Sequence, residues 1–173
     1  LIGSIKQFQS IYGGSIIPPV TRLKIELLYN RLNLFGRLSY WYGLLGLLLL
    51  IIQFIGIFHI RLNLKIPLRI AGVLIITVFI LHTLTLAARW YISGHAPWSN
   101  GYEALTYIAW ASVLAGIIFS ARSPVTLSTT AILASIVLHT AHLSWMDPEI
   151  TTLVPVLRSY WLIVHVAVIT ASY

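Results

Sequence analysis

Five long stretches of apolar residues, separated by short polar segments, dominate the pattern of this chain. They cover about residues 39–60, 70–90, 104–120, 125–144 and 156–173. An α-helix needs about 20 mainly apolar residues to cross the ~30 Å hydrocarbon core of a bilayer. None of the stretches alternates apolar and polar residues as a membrane-barrel strand does. The pattern therefore predicts an all-α, polytopic helical integral membrane protein with about five transmembrane helices.

Composition and the end of the chain refine this interpretation. The chain is 58% hydrophobic and 9% charged, whereas average soluble domains have roughly 25% charged residues. The fifth stretch is still apolar at Tyr173, where the printed chain stops. Because natural proteins seldom stop inside a membrane span, we expect the last helix to be truncated and the chain to be a fragment.

The charge of the chain does not indicate a nucleic-acid-binding protein. Its 11 Lys and Arg give a formal net charge of +7 but are spread between the apolar stretches. In a membrane protein such residues set the topology and contact anionic lipid. The absence of cysteine excludes a disulfide framework, a thiolate metal site and a catalytic thiol within this sequence. We therefore expect membrane lipid as a partner and no nucleic acid.

The first 38 residues differ from the rest. Basic residues mix with Leu, Ile and Tyr between Arg22 and Leu34. That mixture is typical of a helix lying on the membrane surface, and it fits a solvated linker from an upstream domain equally well. The sequence divides the chain into an extramembrane or interfacial N-terminal segment, residues 1–38, and a transmembrane helical domain, residues 39–173.

Counting the spans relates the loops to one another. Two spans separate the loop at residues 94–103 from the loop at residues 147–159, so both are expected at one membrane face. The short connections at residues 59–69 and 121–124 then lie at the opposite face. Basic residues occur both at residues 59–69 and in the N-terminal segment. One span separates these two segments, so they lie at opposite faces, and the positive-inside rule does not decide which face is cytoplasmic.

Histidines are the strongest candidate ligands in a chain that has no cysteine and 4 Asp and Glu residues. His82 lies inside the second stretch, where an ionisable group usually faces the protein interior or a cavity. His139 and His142 are three residues apart and share a face of the fourth helix. Two explanations stay open: hydrogen-bonded structural histidines, or a site between helices that binds a ligand.

His165 follows Trp161 by one helical turn in the fifth stretch, so the two side chains share a helix face near one membrane surface. An imidazole beside an aromatic ring suits axial ligation of haem iron. A structural histidine beside an interfacial tryptophan gives the same spacing, because Trp is enriched at both membrane surfaces. Spacing alone leaves both interpretations open.

The polar loop between the second and third stretches carries His95 and Trp98. Loops often carry functional residues. Ser99 or Asn100 suits the N-cap of the next helix, with Glu103 in its first turn as in a capping box. Capping explains the end of the loop but neither His95 nor Trp98, so both are candidate site residues.

Two blocks of residues resemble a known family. The first, Arg89-Trp-Tyr-x-Ser-Gly-His-x-Pro-x-Ser-Asn-x-Tyr-Glu-x-Leu105, is similar to an early loop of the CcsA (ResC) proteins. These are the haem-handling membrane components of system II cytochrome c maturation. The second block, Leu153-Val-Pro-Val-Leu-Arg-Ser-Tyr-Trp-Leu-Ile-Val-His165, resembles the family segment Leu-Val-Pro-x-Leu-x-Ser-x-Trp-Leu-x-x-His. The resemblance covers about residues 70–173, and the N-terminal segment more weakly resembles the junction of fused CcsBA proteins.

The resemblance implies haem handling at the outer face of the bacterial cytoplasmic (inner) membrane, and delivery of haem b for covalent attachment to apocytochrome c. It makes His165 an axial ligand of haem iron, which is the metal expected there. Trp161, His95 and Trp98 become further candidates for contact with haem. The loops containing His95 and Asp147 become external. Expected partners are haem, apocytochrome c and a CcsB/ResB-type protein or fused half.

The sequence also departs from the family. The Trp-rich WWD segment, the second external histidine and the following intramembrane histidine are missing, and the resemblance places all of them beyond Tyr173. We therefore expect this stretch alone to lack a complete haem site and not to act as a thioether-forming haem lyase. The alternative function is a small-solute or ion transporter with an intramembrane site built from His82, His139 and His142.

Overall fold

The computed structural model describes residues 3–5, 7–8, 19–58, 64–143, 148–150 and 159–172, and all regular structure in them is helical. The main helices are α1 (Val20–Leu32), α2 (Leu34–Phe58), α3 (Lys65–Ser93), α4 (Gly101–Phe119), α5 (Pro124–Ala141) and α6 (Tyr160–Ser172). Asp147, predicted to lie in an external loop, falls outside the described residues.

Three of these helices, α2, α3 and α4, are each long and apolar enough to cross a membrane. α5 contributes a shorter apolar helix over Val125–Ala141, and α6 is apolar over its 13 residues. The prediction of an all-α, polytopic membrane protein is therefore confirmed.

Helix α5 lies in the middle of the bundle, because α2 and α4 both pack extensively against it. Small residues allow these close contacts. A Cβ on Gly46 of α2 would lie 3.0 Å from the backbone nitrogen of Ile132, and a Cβ on Gly116 of α4 would overlap the Thr130 side chain. Lipid tails give helices no hydrophobic drive to associate, so close packing of this kind holds membrane helices together.

Aromatic side chains fill the space between α3 and α4, which contact each other much less than α4 contacts α5. The ring of Phe79 stacks on that of Trp110 with centroids 5.7 Å apart, and Trp110 stacks on Tyr107 at 5.8 Å. The Trp110 indole N–H donates to Thr83 Oγ1 at 2.9 Å. Side-chain contacts therefore replace close backbone approach along this pair of helices.

Within the N-terminal segment, α1 packs against the C-terminal end of α3. The Nε–H of Arg22 donates to the carbonyl oxygen of Ile92 at 2.7 Å, and its Nη2 contacts the same oxygen. That carbonyl belongs to the last turn of α3, where carbonyls have no partner inside the helix. Asn33, with a φ of 41°, makes the corner between α1 and α2, so α2 begins before residue 39, the expected boundary.

We expect Gly46→Ala to destabilise the bundle and Gly72→Ala to leave it intact. Overpacking between α2 and α5 should cost about 1–3 kcal/mol. Nothing lies within 4 Å of a Cβ at Gly72, so alanine there should be neutral or gain about 0.5–1 kcal/mol of helix propensity. Unfolding in detergent micelles measures both variants. Equal stability would show that the bundle does not depend on this close approach.

Candidate functional site

A buried ion pair joins the facing ends of α3 and α4. The Nε–H of Arg89 donates to Glu103 Oε1 at 2.9 Å, and the two side chains are 0% and 1% exposed. At about 1.5 Å per residue, the 29 residues of α3 span about 43 Å, more than the ~30 Å hydrocarbon core. Arg89 is close to Ser93, the last residue of α3. The pair therefore lies near one end of the span, and protein encloses both charges.

The carboxylate of Glu103 also organises the start of α4. Its Oε2 accepts hydrogen bonds from the backbone N–H and the hydroxyl of Ser99, at 2.7 and 2.6 Å. The Asn100 side chain in turn accepts from the Glu103 backbone N–H at 2.8 Å, as the N-cap of α4. The predicted capping arrangement is confirmed. The sequence did not predict that the same carboxylate also pairs with an arginine.

The guanidinium of Arg89 reaches beyond Glu103 to two other parts of the chain. Its Nη1 donates to the Pro148 carbonyl at 3.0 Å and to the Tyr29 hydroxyl at 3.3 Å, and its Nη2 donates to the Glu149 carbonyl at 3.3 Å. Its Cζ lies 5.1 Å from the centre of the Tyr102 ring. One side chain thus connects α1, α3, α4 and the segment between α5 and α6.

These contacts explain how the charged guanidinium of Arg89 can be buried. A buried ion pair is stable only when further hydrogen bonds satisfy its remaining donors and acceptors. A guanidinium supplies several N–H groups in a fixed plane, which suits acceptors in different directions. The carboxylate and the two carbonyls are such acceptors, so the charge of Arg89 is well compensated.

A half-open cavity of about 460 Å³ lies beside the ion pair. Parts of α1, the start of α2, Arg89, Tyr102 and residues 148–150 line it. Burial raises the pKa of the Tyr29 phenol above its ordinary value, although the adjacent Arg89 opposes this shift. Tyr29 therefore keeps its proton and provides a neutral hydroxyl to Arg89 at neutral pH.

His82 lies in the bundle interior, where its side chain is 0% exposed. Its Nδ1 shares a hydrogen bond with the Tyr42 hydroxyl at 3.4 Å. The rings of Phe35 and Tyr42 flank it, with centroids 5.6 and 5.8 Å away. Its Nε2 has no hydrogen-bond partner among the described residues. The surroundings are those of a neutral core histidine.

The other two histidines of the transporter alternative, His139 and His142, lie at the C-terminal end of α5. The Nδ1–H of His142 donates to the Leu138 carbonyl at 2.9 Å, at the C-terminal end of α5. His139 is exposed, with Tyr40 as an aromatic neighbour at 6.4 Å. In the described part of the chain, no three His, Asp or Glu side chains lie where they could share a metal ion. The transporter alternative is therefore not favoured.

The loop candidates, His95 and Trp98, are tied into the end of the bundle. The His95 Nδ1–H donates to the Ala96 carbonyl at 3.1 Å. The Trp98 ring contacts Trp90 and Tyr107, with centroids 6.2 and 5.3 Å apart. These contacts give both residues a structural role in shaping the loop.

The remaining candidates, His165 and Trp161, lie on the outward side of α6. The His165 side chain is exposed and Trp161 is 78% exposed. Four residues apart on a helix, they form neighbouring parts of one face. An accessible imidazole beside an indole could bind a planar ligand that carries a metal ion.

The Arg89–Glu103 pair was not predicted from the sequence. A signal was present, because Arg89 ends one apolar stretch and Glu103 begins the next. Opposite charges at the facing ends of consecutive spans are close in space. The contacts with Tyr29 and with residues 148–150 had no local signal, since they are 59 or 60 residues away in sequence.

These features define a helical membrane protein that has a buried, hydrogen-bonded ion pair at one end of its bundle. Residues 98–173 match the family described as Cytochrome C assembly protein. Nearly the whole chain is similar to Protein NrfI of Wolinella succinogenes. The identity is 43% over an alignment of 173 residues, which covers 98% of the chain and 19% of NrfI. Both matches confirm the resemblance found in the sequence, and residues 98–173 are the part of the chain that matches the cytochrome c assembly family.

The CcsA relatives match the second part of the chain. Cytochrome c biogenesis protein CcsA of Prochlorococcus marinus (strain MIT 9303) is 42% identical over 97 residues, 53% of the chain and 30% of that protein. CcsA of Synechococcus sp. (strain CC9311) is 38% identical over 104 residues, 58% of the chain and 34% of that protein. The chain thus spans about a fifth of NrfI and about a third of these CcsA proteins.

We expect Glu103→Gln to destabilise the protein far more than Glu26→Gln. The first change leaves the Arg89 charge buried without a counter-charge, which should cost about 3–5 kcal/mol. The second acts at the rim of the cavity, where a surface substitution changes stability by about 0.5 kcal/mol or less. Unfolding in detergent micelles compares the two. A loss at Glu103 no larger than that at Glu26 would contradict the central place of the ion pair.

Proposed function

We propose that the protein containing this chain handles haem at the outer face of the bacterial cytoplasmic membrane and delivers it to apocytochrome c. The observation that carries the proposal is an exposed imidazole, His165, one helical turn from an exposed indole, Trp161. Both lie within the residues that match the cytochrome c assembly family. The names of the CcsA relatives describe cytochrome c biogenesis, which supports the proposal that haem is handled for attachment to apocytochrome c.

In this proposal His165 binds haem iron from one axial side, and Trp161 packs beside the porphyrin. The haem is haem b, whose vinyl groups are still free. Covalent attachment adds a thiol across each vinyl double bond: sulfur bonds to one carbon, and a proton is added to the other. In this proposal the thiols are those of apocytochrome c. His95 and Trp98 support the same outer surface, and a CcsB/ResB-type protein or fused half is a partner.

A comparison of two exposed histidines tests the role of His165. In the full-length protein, His165→Ala should abolish c-type cytochrome assembly and change the absorption spectrum of bound haem. Added imidazole should partly restore the spectrum by filling the vacated axial position. His139→Ala, which removes an exposed histidine from α5, should leave both unchanged. Normal assembly and an unchanged spectrum in His165→Ala would rule out this ligand.

The outer position of the loop at residues 94–100 is tested by thiol labelling in intact cells. The chain has no cysteine, so single cysteines can be placed at Gly101 and Ala121, both exposed and at opposite ends of α4. A membrane-impermeant reagent should label Gly101→Cys, and should label Ala121→Cys only after the cells are opened. The reverse pattern would invert the proposed orientation.

A further inference from the structure

The helix that carries His165 packs on one described element and follows another in the chain. The first is α4, the helix against which α6 makes its main contact. The second is the connection from α5, of which residues 148–150 lie at the end of the bundle beside Arg89. These two elements, α4 and residues 148–150, are the candidate supports of α6.

Both supports are attached to the same side chain. Through Glu103, Arg89 holds the first turn of α4 with a contact of 2.9 Å. Through the Pro148 and Glu149 carbonyls, at 3.0 and 3.3 Å, it holds the connection that leads to α6. These are backbone acceptors, so the attachment fixes the path of the chain and does not depend on the side chains at residues 148 and 149.

The cavity beside Arg89 first suggests that the arginine binds an anion. The bonding of its guanidinium argues otherwise, because Nε, Nη1 and Nη2 each already donate to an oxygen of the protein. A guanidinium has five N–H groups, and Nη1 also donates to Tyr29. Four of the five N–H groups therefore donate to protein oxygens, and an anion held by two N–H groups would have to displace at least one of these acceptors.

We propose that Arg89 is a positioning residue for the helix that carries His165, and that it acts by holding α4 and the connection at residues 148–150 together. For the role of His165 this inference rests on the function proposed above. Lysine cannot replace this arrangement fully. A compact ammonium lacks the planar fork of N–H groups that reaches Glu103 on one side and the two carbonyls on another.

Spin-label distances test the proposal without relying on haem. Cysteines at Val168 of α6 and Leu133 of α5, which are 64% and 48% exposed, report the position of α6 against the bundle. Cysteines at Leu47 of α2, which is 54% exposed, and at Leu133 report the bundle itself. Arg89→Gln should shift and broaden the first distance distribution and leave the second unchanged.

Two variants complete the distance experiment. Arg89→Lys should restore the Val168–Leu133 distribution in part, and Arg37→Gln, which removes an exposed charge from α2, should change neither distance. The proposal is overturned if Arg89→Gln leaves both distributions unchanged. It is equally overturned if both broaden together, because the arginine then stabilises the whole bundle and not the position of α6.

Haem spectra separate this proposal from the one on which it rests. In the full-length protein, Arg89→Gln should reduce the absorption change that depends on His165, whereas His165→Ala should leave the Val168–Leu133 distances as they are. If His165→Ala does not alter the haem spectrum, the ligand assignment fails, and a shift of α6 in Arg89→Gln still supports the positioning role. If Arg89→Gln moves neither α6 nor the spectrum, the positioning role fails while the ligand assignment stands.

Discussion

The buried ion pair between Arg89 and Glu103 is the interaction on which the arrangement of this end of the bundle depends. Two charges removed from water require compensation by each other and by further hydrogen bonds. Here the compensation comes from α1, the loop before α4 and the segment after α5. Each of these pieces supplies an oxygen or an N–H group to the pair, so the requirement to satisfy the pair contributes to the local fold.

The rest of the bundle is held by a different force. Inside lipid, apolar helices gain little from touching one another unless they pack closely. The Gly46 and Gly116 contacts with α5 provide that close packing, while rings such as Trp110 fill the wider space between α3 and α4. Close packing therefore contributes most to the arrangement of the spans, with hydrogen bonds such as that of Trp110 to Thr83 beside it, and polar bonds set the arrangement of the segments outside the spans.

This division has a consequence for the candidate haem surface. His165 and Trp161 lie on an exposed side of α6, away from the closely packed core of α2, α4 and α5. An exposed imidazole is accessible to a large flat ligand, but a helix attached mainly to one neighbour needs other supports to hold its direction. In the positioning role that we propose for Arg89, the polar end of the bundle supplies such a support through residues that do not touch the ligand.

The sequence by itself determined the class of protein, the approximate positions of the apolar helices, the cap of α4 and the family resemblance, because each depends on local composition or on contiguous motifs. Asn100 and Glu103 are three residues apart, so their capping bonds follow from helix geometry. Tertiary structure alone decided that His82 is a core residue beside Tyr42, and that Tyr29 and the Pro148 and Glu149 carbonyls meet at Arg89. No sequence periodicity relates residues about 60 positions apart. The contact between them depends on how whole helices pack and on the free-energy cost of leaving a buried charge without partners.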